Sequence, residues 1–353
     1  MTTRIMKIFL PFLLVAILTV YPFVPRVQAD QLKGDRALLV KVVADQSFAR
    51  QNLWQQKARK ILMGSSDMIA ELLGVRIGID DFEVWEHEPI DDITVLTTRM
   101  INEVERGRAD ILVGFCLETD HDKINGLRKD GLTIAYRGFM VQTVPRGPKN
   151  NKYLPIVIVH EMIHAFGGVH VYDSTLMSPI FENEIKVTLD PLNEAIVKIT
   201  RNIDFAEGYS SLSHDDLEKL GDLYKQATLT GNREIPTYLE LGAIYSELGN
   251  YEEAIRAFRQ AVRQDQSLAY GWERIGDCYH KLGDIEKAII TFEDALGKIK
   301  DKGIFHKKLA ILHFNSRNFE KSYNSAVNAE RYGTEIDRRM WDEFERLGMS
   351  RRR

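Results

Sequence analysis

The residues most able to do chemistry in this chain lie in one short stretch that reads HEMIHAFGGVH. A helix over its first part places His160 and His164 four residues apart on one face, where both imidazoles can bind one metal ion. Glu161 lies about 100° around the helix axis, close enough to reach a metal-bound water without being a ligand. Gly167 permits the chain to reverse, so that His170 can supply a third nitrogen.

Three neutral imidazole nitrogens and one water form the tetrahedral site of a catalytic zinc ion. Zinc lowers the pKa of bound water to about 7, and a nearby carboxylate can take the proton as the water attacks a carbonyl carbon. The pattern therefore predicts Zn²⁺ as the cofactor and His160, His164 and His170 as its ligands. Glu161 is predicted to be the general base, which then passes the proton to the leaving amine.

The same stretch, followed by Met177 in the segment DSTLMSP, resembles the metzincin zinc peptidases. The resemblance implies that Met177 forms a hydrophobic floor beneath the three histidines and is not a ligand. It also implies an endopeptidase on an α+β metzincin-like domain, with a twisted mixed sheet and an active-site helix. An edge strand within Thr133 to Thr143 would align an extended substrate by backbone pairing, and the loop Ser178 to Leu189 would set side-chain preference.

Hydrophobic patterning upstream predicts the elements that position this site. Strands are expected over 36–44, 75–85 and 109–115, with one or two more over 133–144, and helices over 48–73, 94–106 and 156–166. This alternation predicts a mixed sheet with helices packed on it. A helix over 190–202 or over 213–226 would close the domain, and the sequence does not choose between them.

An internal repeat of 34 residues marks the C-terminal part of the chain. The period superposes Gly242 on Gly276 and Phe258 on Phe292, together with further apolar and small positions. This pattern resembles tetratricopeptide repeats over residues 235–336, in about three units with a closing helix at 336–347. The resemblance implies an all-α solenoid with a concave surface for a peptide or protein partner. The alternative is that the array only supports the other domain.

Composition and the N-terminal segment limit the remaining possibilities. Residues 1–29 combine Arg4 and Lys7, an apolar run and the small-residue site ending at Ala29, a pattern typical of a signal peptide. The protein is therefore expected to be secreted or periplasmic, or membrane-anchored if the segment is not cleaved. A formal net charge of −4 argues against a nucleic-acid partner, and two cysteines exclude a disulfide scaffold and a cysteine-rich zinc module.

The sequence thus predicts three parts: a signal peptide at 1–29, a metzincin-like zinc peptidase domain at 30–232, and a tetratricopeptide repeat domain at 233–353. The predicted function is zinc-dependent hydrolysis of peptide bonds outside the cytoplasm, with the array recruiting a protein partner or substrate. The alternative is a non-catalytic extracytoplasmic scaffold with a structural zinc site. Glu161 favours the enzyme, because a structural site needs no general base.

Overall fold

A mixed β-sheet forms the N-terminal part of the fold. The computed structural model describes residues 36–88, 90, 92–117, 123–124, 127–128, 131–145, 153–179 and 186–349. The main sheet has the strand order β2-β1-β3-β7-β6, in which β6 runs antiparallel to β7 and the other pairs are parallel. Its strands, and a separate pair β4-β5, are β1 (Arg36–Asp45), β2 (Val75–Trp85), β3 (Ile111–Leu117), β4 (Lys123–Ile124), β5 (Leu127–Arg128), β6 (Gly131–Ile134) and β7 (Phe139–Val144).

Helices cover both faces of this sheet, which is why its central strands are apolar on both sides. Val42 and Val113 face a core that includes helices α2 and α4, whereas Val43 and Leu112 face a core that includes α3. The helices of this region are α1 (Gln46–Ala49), α2 (Trp54–Leu73), α3 (Ile93–Glu103), α4 (Leu154–Ala165), α5 (Pro191–Thr200) and α6 (His214–Leu229). The predicted mixed sheet with packed helices is confirmed.

Two predictions about helices need correction or completion. The helix expected over 48–73 is two helices, because Leu53 adopts a left-handed backbone conformation (φ 57°) between α1 and α2. Both segments predicted as alternatives for the closing helix, 190–202 and 213–226, form helices, which are α5 and α6. Asp190 caps α5 by accepting hydrogen bonds from backbone N–H groups, and Ser213 caps α6 in the same way.

Several predictions fall outside the described residues. These are the signal peptide at 1–29 and residues 180–185 of the predicted specificity loop. Within the part of the chain that the structure describes, no helix has the length and apolarity needed to span a bilayer. Cys116 and Cys278 are both buried and form no disulfide.

Pairs of antiparallel helices build the C-terminal region. They are α7 (Ile235–Glu247), α8 (Tyr251–Gln264), α9 (Ala269–Lys281), α10 (Ile285–Leu296), α11 (Gly303–Asn315) and α12 (Phe319–Arg331), followed by α13 (Arg338–Arg346). The first two pairs each pack a phenylalanine ring of the second helix directly on a glycine of the first helix. A Cβ added to Gly242 would lie 2.7 Å from the Phe258 ring, and one added to Gly276 would lie 2.2 Å from the Phe292 ring. The 34-residue period is therefore the period of one packing unit.

Alanine at Gly276 is expected to destabilise the array by about 1–3 kcal/mol, because the added methyl group overpacks a closed contact with Phe292. The matched control is Gly297→Ala, since the nearest atom to a Cβ there is a backbone oxygen at 3.6 Å. Urea unfolding of both variants measures the difference. Equal midpoints for the two variants would contradict the packing role of Gly276.

The sheet region and the helical array share a hydrophobic core. Leu241 and Ile244 of α7 belong to the same buried cluster as Leu220 and Tyr224 of α6. The described residues group as one compact unit. The predicted domain boundary between residues 232 and 233 lies between α6 and α7 and stays a prediction. Buried residues on both sides of it belong to one hydrophobic cluster.

Candidate metal centre

The helix α4 carries the first two histidines and is buried around nearly all of its circumference. Pro155 lies in its first turn, and the following residues are almost all apolar, which is typical of a helix enclosed by other elements. His160 and Glu161 are nevertheless only 4% and 7% exposed. Polar groups buried this deeply require partners, because removing them from water without replacing their hydrogen bonds is unfavourable.

Three imidazole rings converge on one point. The Nε2 atom of His164 lies 3.0 Å from Nε2 of His160 and 3.1 Å from Nε2 of His170, and the remaining pair is 3.3 Å apart. Nitrogen ligands around a tetrahedral zinc ion at its usual bond length are about 3.3–3.4 Å apart. The structure thus brings together the three predicted ligands at nearly the spacing of one face of a zinc tetrahedron.

The other ring nitrogen of each histidine determines which atom faces this point. Nδ1 of His160 lies 2.8 Å from the Leu176 carbonyl oxygen, and Nδ1 of His164 lies 2.7 Å from the Gly168 carbonyl oxygen. Nδ1 of His170 lies 2.8 Å from a carboxylate oxygen of Glu234. Because all three partners can only accept, each Nδ1 carries a proton, and a ring in its neutral form turns an Nε2 lone pair inward. Three lone pairs at this distance repel one another unless a cation lies between them, so the donor set fits Zn²⁺.

The pKa values of the helix histidines agree with a ligand role. Burial lowers the pKa of His160 to about 4, and burial, followed by the neighbouring rings, lowers the pKa of His164 well below its ordinary value. Both rings are therefore neutral at pH 7. A neutral imidazole is the form that binds a metal, so no proton has to be displaced from these two ligands.

The turn after α4 requires glycine at one position. Gly167 has a left-handed backbone conformation (φ 87°), and a Cβ added there would lie 1.6 Å from the hydroxyl oxygen of Tyr136. The Tyr224 hydroxyl donates to the Gly167 carbonyl oxygen at 2.5 Å and lies 2.9 Å from the Tyr136 hydroxyl. Asn193 accepts from the Val169 N–H and donates to its carbonyl oxygen. These side chains hold the segment that carries the third histidine.

Sequence reasoning missed Tyr136, Tyr224 and Asn193, since nothing in their local pattern distinguishes them from ordinary core residues. Each lies far along the chain from the turn that it supports. The sequence offers one signal for them: polar side chains within predicted core elements need hydrogen-bond partners.

Met177 lies in a segment that contacts both ends of the histidine cluster. Its side chain is fully buried, and its carbonyl oxygen accepts from the N–H of Val171, the residue after His170. The preceding residue, Leu176, accepts the hydrogen bond from His160. The segment therefore links the first histidine to the third.

Glu161 lies against the edge of the sheet. The Thr133 hydroxyl donates to its Oε2 atom at 2.6 Å, and a Cβ added to Gly131 would lie 2.5 Å from its Oε1 atom. Both residues belong to β6, which occupies the end of the main sheet. The predicted edge strand over Thr133 to Thr143 is thus partly wrong: β7 is an interior strand between β3 and β6, and the edge is Gly131–Ile134. Hydrophobic patterning locates strands but does not give their order in the sheet, so it does not show which of the two strands lies at the edge.

The carboxyl group of Glu240 is partly buried where α7 meets the sheet region. The Tyr209 hydroxyl donates to Oε2 of Glu240, and the Tyr209 ring packs on Tyr136 with ring centroids 4.7 Å apart. Burial raises the pKa of Glu240 to about 7 from an ordinary value of 4.5. The carboxyl group is therefore partly protonated at neutral pH.

Glu240→Gln is expected to change how stability depends on pH. Between pH 4.5 and about 7 the folded protein holds a proton on Glu240 that the unfolded chain has lost. The free energy of unfolding should therefore fall as the pH rises through this window, by up to about 3 kcal/mol. The glutamine variant should match the wild type at pH 4.5 and exceed its melting temperature at pH 8. Glu247→Gln, an exposed change on the same helix, is the control, and an unshifted Glu240→Gln at pH 8 would contradict the burial effect.

Residues 239–303 match the family model of the tetratricopeptide repeat. The helices within this stretch are similar to tetratricopeptide repeats. The match confirms the predicted tetratricopeptide resemblance over residues 239–303. The repeat units predicted outside this stretch stay a prediction. The C-terminal region is thus a helical repeat array joined to a mixed sheet.

Three solved structures of MamA resemble part of the chain. A MamA RS-1 ArsTM double mutant is 13% identical, covers 34% of this chain and 67% of its own, and has a TM-score of 0.31. A crystal structure of MamA is 16% identical, covers 46% and 86%, and has a TM-score of 0.33. MamA MSR-1 C2 is 15% identical, covers 49% and 86%, and has a TM-score of 0.33. No curated protein matches the chain.

Proposed function

We propose that this protein is a zinc-dependent peptidase of metzincin type, with a tetratricopeptide array that recruits a protein partner or substrate. The observation that carries the proposal is the cluster of His160, His164 and His170, whose Nε2 lone pairs face one another at 3.0–3.3 Å while their Nδ1 protons are held elsewhere. The buried Met177 segment behind this cluster is the feature on which the metzincin assignment rests.

Zinc held by the three Nε2 atoms would supply a water of lowered pKa. The Thr133 hydroxyl donates to Oε2 of Glu161 and so orients the carboxylate that would accept a proton from this water. The same carboxylate then gives that proton to the amine of the leaving peptide. The buried position of Glu161 limits competing water around this proton transfer.

The edge strand β6 supports a peptide as the substrate. Among the described residues β6 pairs only with β7, so its other side has backbone groups available for an extended chain. A peptide bound there would run past Glu161, because β6 supplies both Gly131 and Thr133 to that side chain. Backbone pairing would align the scissile bond without demanding particular side chains.

A second candidate is a non-catalytic scaffold in which the zinc is structural. The tetratricopeptide match favours the scaffold, since stacked helical repeats present surfaces for protein partners. The match concerns protein interaction and not catalysis. Against it stands Glu161, a buried carboxylate beside the histidine cluster that a structural site does not use. A location outside the cytoplasm is part of both proposals and rests on the pattern of residues 1–29.

Metal analysis and a peptide-library digest of the full chain test the choice between these two candidates. The peptidase is expected to purify with one zinc per chain and to cleave a defined set of library peptides. Bound zinc with no cleavage at any pH from 5 to 9 would favour the scaffold. Absence of zinc after incubation with ZnCl₂ would contradict both.

A further inference from the structure

The third histidine is oriented by a residue that belongs to the repeat array. Nδ1 of His170 lies 2.8 Å from Oε2 of Glu234, which is the residue immediately before α7. The two side chains are 24% and 29% exposed, so water competes only partly for the contact. His160 and His164, by contrast, donate to carbonyl oxygens of the segment that follows α4. The carboxylate partner of His170 is 64 residues further along the chain.

Hydrogen bonds to the carboxylate and to the backbone of Glu234 hold this residue in place. The Tyr172 hydroxyl donates to Oε1 at 3.1 Å, which leaves Oε2 for the histidine. The backbone N–H of Glu234 donates to Oδ1 of Asn232 at 3.1 Å, and the Thr237 hydroxyl donates to the same oxygen at 2.8 Å. The carboxylate therefore keeps one position even though it is not fully buried.

The same short segment also binds the backbone of the ligand residue. Nδ2 of Asn232 donates to the carbonyl oxygen of His170 at 2.7 Å, and Asn232 is only 5% exposed. Both the ring and the main chain of His170 are thus tied to residues 232–237.

We propose that Glu234 is a positioning residue of the metal centre, so that the start of the repeat array completes the site. The inference rests on the proposed zinc centre. A carboxylate on Nδ1–H fixes the ring tautomer and makes Nε2 a stronger donor, as outer-shell partners of metal-bound histidines do. The start of the array is consequently part of the metal-binding unit.

Metal affinity of the full-length chain tests this role. We expect Glu234→Ala to weaken Zn²⁺ binding by about 10- to 100-fold, measured by competition with a chromophoric chelator. Glu234→Gln keeps an acceptor oxygen but loses the negative charge, so its loss of affinity should be smaller. Glu247→Gln removes an exposed acid from the last turn of α7, and this variant should bind zinc like the wild type. Tyr172→Phe removes one support of Glu234 without touching His170 and should lie between wild type and Glu234→Ala.

A spectroscopic readout separates positioning from a general loss of structure. With Co²⁺ in place of zinc, Glu234→Gln should shift the visible absorption bands, because the donor strength of His170 changes while the ligand set stays the same. Unchanged affinity and unchanged bands in Glu234→Gln, with the wild type binding zinc, would overturn the role of Glu234 and leave the zinc centre intact. A wild type that binds neither Zn²⁺ nor Co²⁺ would overturn the zinc centre itself. If Glu234→Ala does not fold, the nearly isosteric glutamine variant decides the question.

Discussion

Replacing Glu161 by glutamine is expected to abolish peptide hydrolysis while leaving zinc bound. Glutamine matches glutamate in size and can still accept the hydrogen bond from Thr133, so the packing against β6 is preserved. It cannot take a proton from water, and general acid–base catalysis of this kind contributes about 10²- to 10⁴-fold to the rate. The measurement is kcat/KM on a fluorogenic peptide taken from the library digest, together with the zinc content of the same preparation.

The control for this variant is Glu194→Gln, an exposed change on α5 that should hydrolyse the peptide at the wild-type rate. Thr133→Val should give an intermediate loss, because Glu161 keeps its carboxylate but loses the hydrogen bond that orients it. Wild-type turnover in Glu161→Gln would exclude this residue as the general base. Loss of zinc from Glu161→Gln would assign the residue a structural role instead.

Removing zinc is expected to lower the melting temperature of the full chain by roughly 10 °C. A metal that binds only the folded state at a thousand times its dissociation constant adds about 4 kcal/mol to the free energy of unfolding, and proteins of this size shift by a few degrees per kcal/mol. Without the cation, the lone pairs of His160, His164 and His170 are left facing one another in a buried site. Differential scanning fluorimetry with a chelator, followed by return of zinc or magnesium, measures the effect.

His164→Ala provides the control for metal removal. Its Nε2 atom lies 3.0 and 3.1 Å from those of the other two histidines, and without its ring the site has two ligands. The variant should melt below the wild type and respond to neither chelator nor zinc. Magnesium should not restore the wild type, because it prefers oxygen ligands in octahedral geometry. An equal response of wild type and His164→Ala to the chelator would place the stabilising metal elsewhere in the chain.

Features that depend on neighbouring residues in the chain could be predicted from the sequence. Residues four apart on a helix lie on one face, so His160 and His164 were assigned to one metal before any fold was known. Gly242 and Gly276 were identified from a period that follows directly from the packing of one helix pair. The strands of the sheet were located because central parallel strands are buried on both faces and read as continuous apolar runs.

Features that depend on contacts between distant segments could not be predicted in this way. The break at Leu53 leaves no trace in a helical pattern of apolar residues. The assignment of β6 rather than β7 to the edge depends on strand order, which periodicity does not contain. Glu234 looks like any acidic residue before a helix, and its partner lies 64 positions away.

By itself the sequence predicts the chemistry of the candidate site, because ligand type and helical spacing are local properties of His160, Glu161 and His164. It also determined the repeat architecture, since a period survives in the chain without reference to any other segment. Only the tertiary structure decided what supports that chemistry. The Tyr136–Tyr224 pair at Gly167 and the carboxylate of Glu234 at His170 are contacts between elements far apart in sequence. Such contacts exist only after the sheet region and the start of the array have folded onto one core.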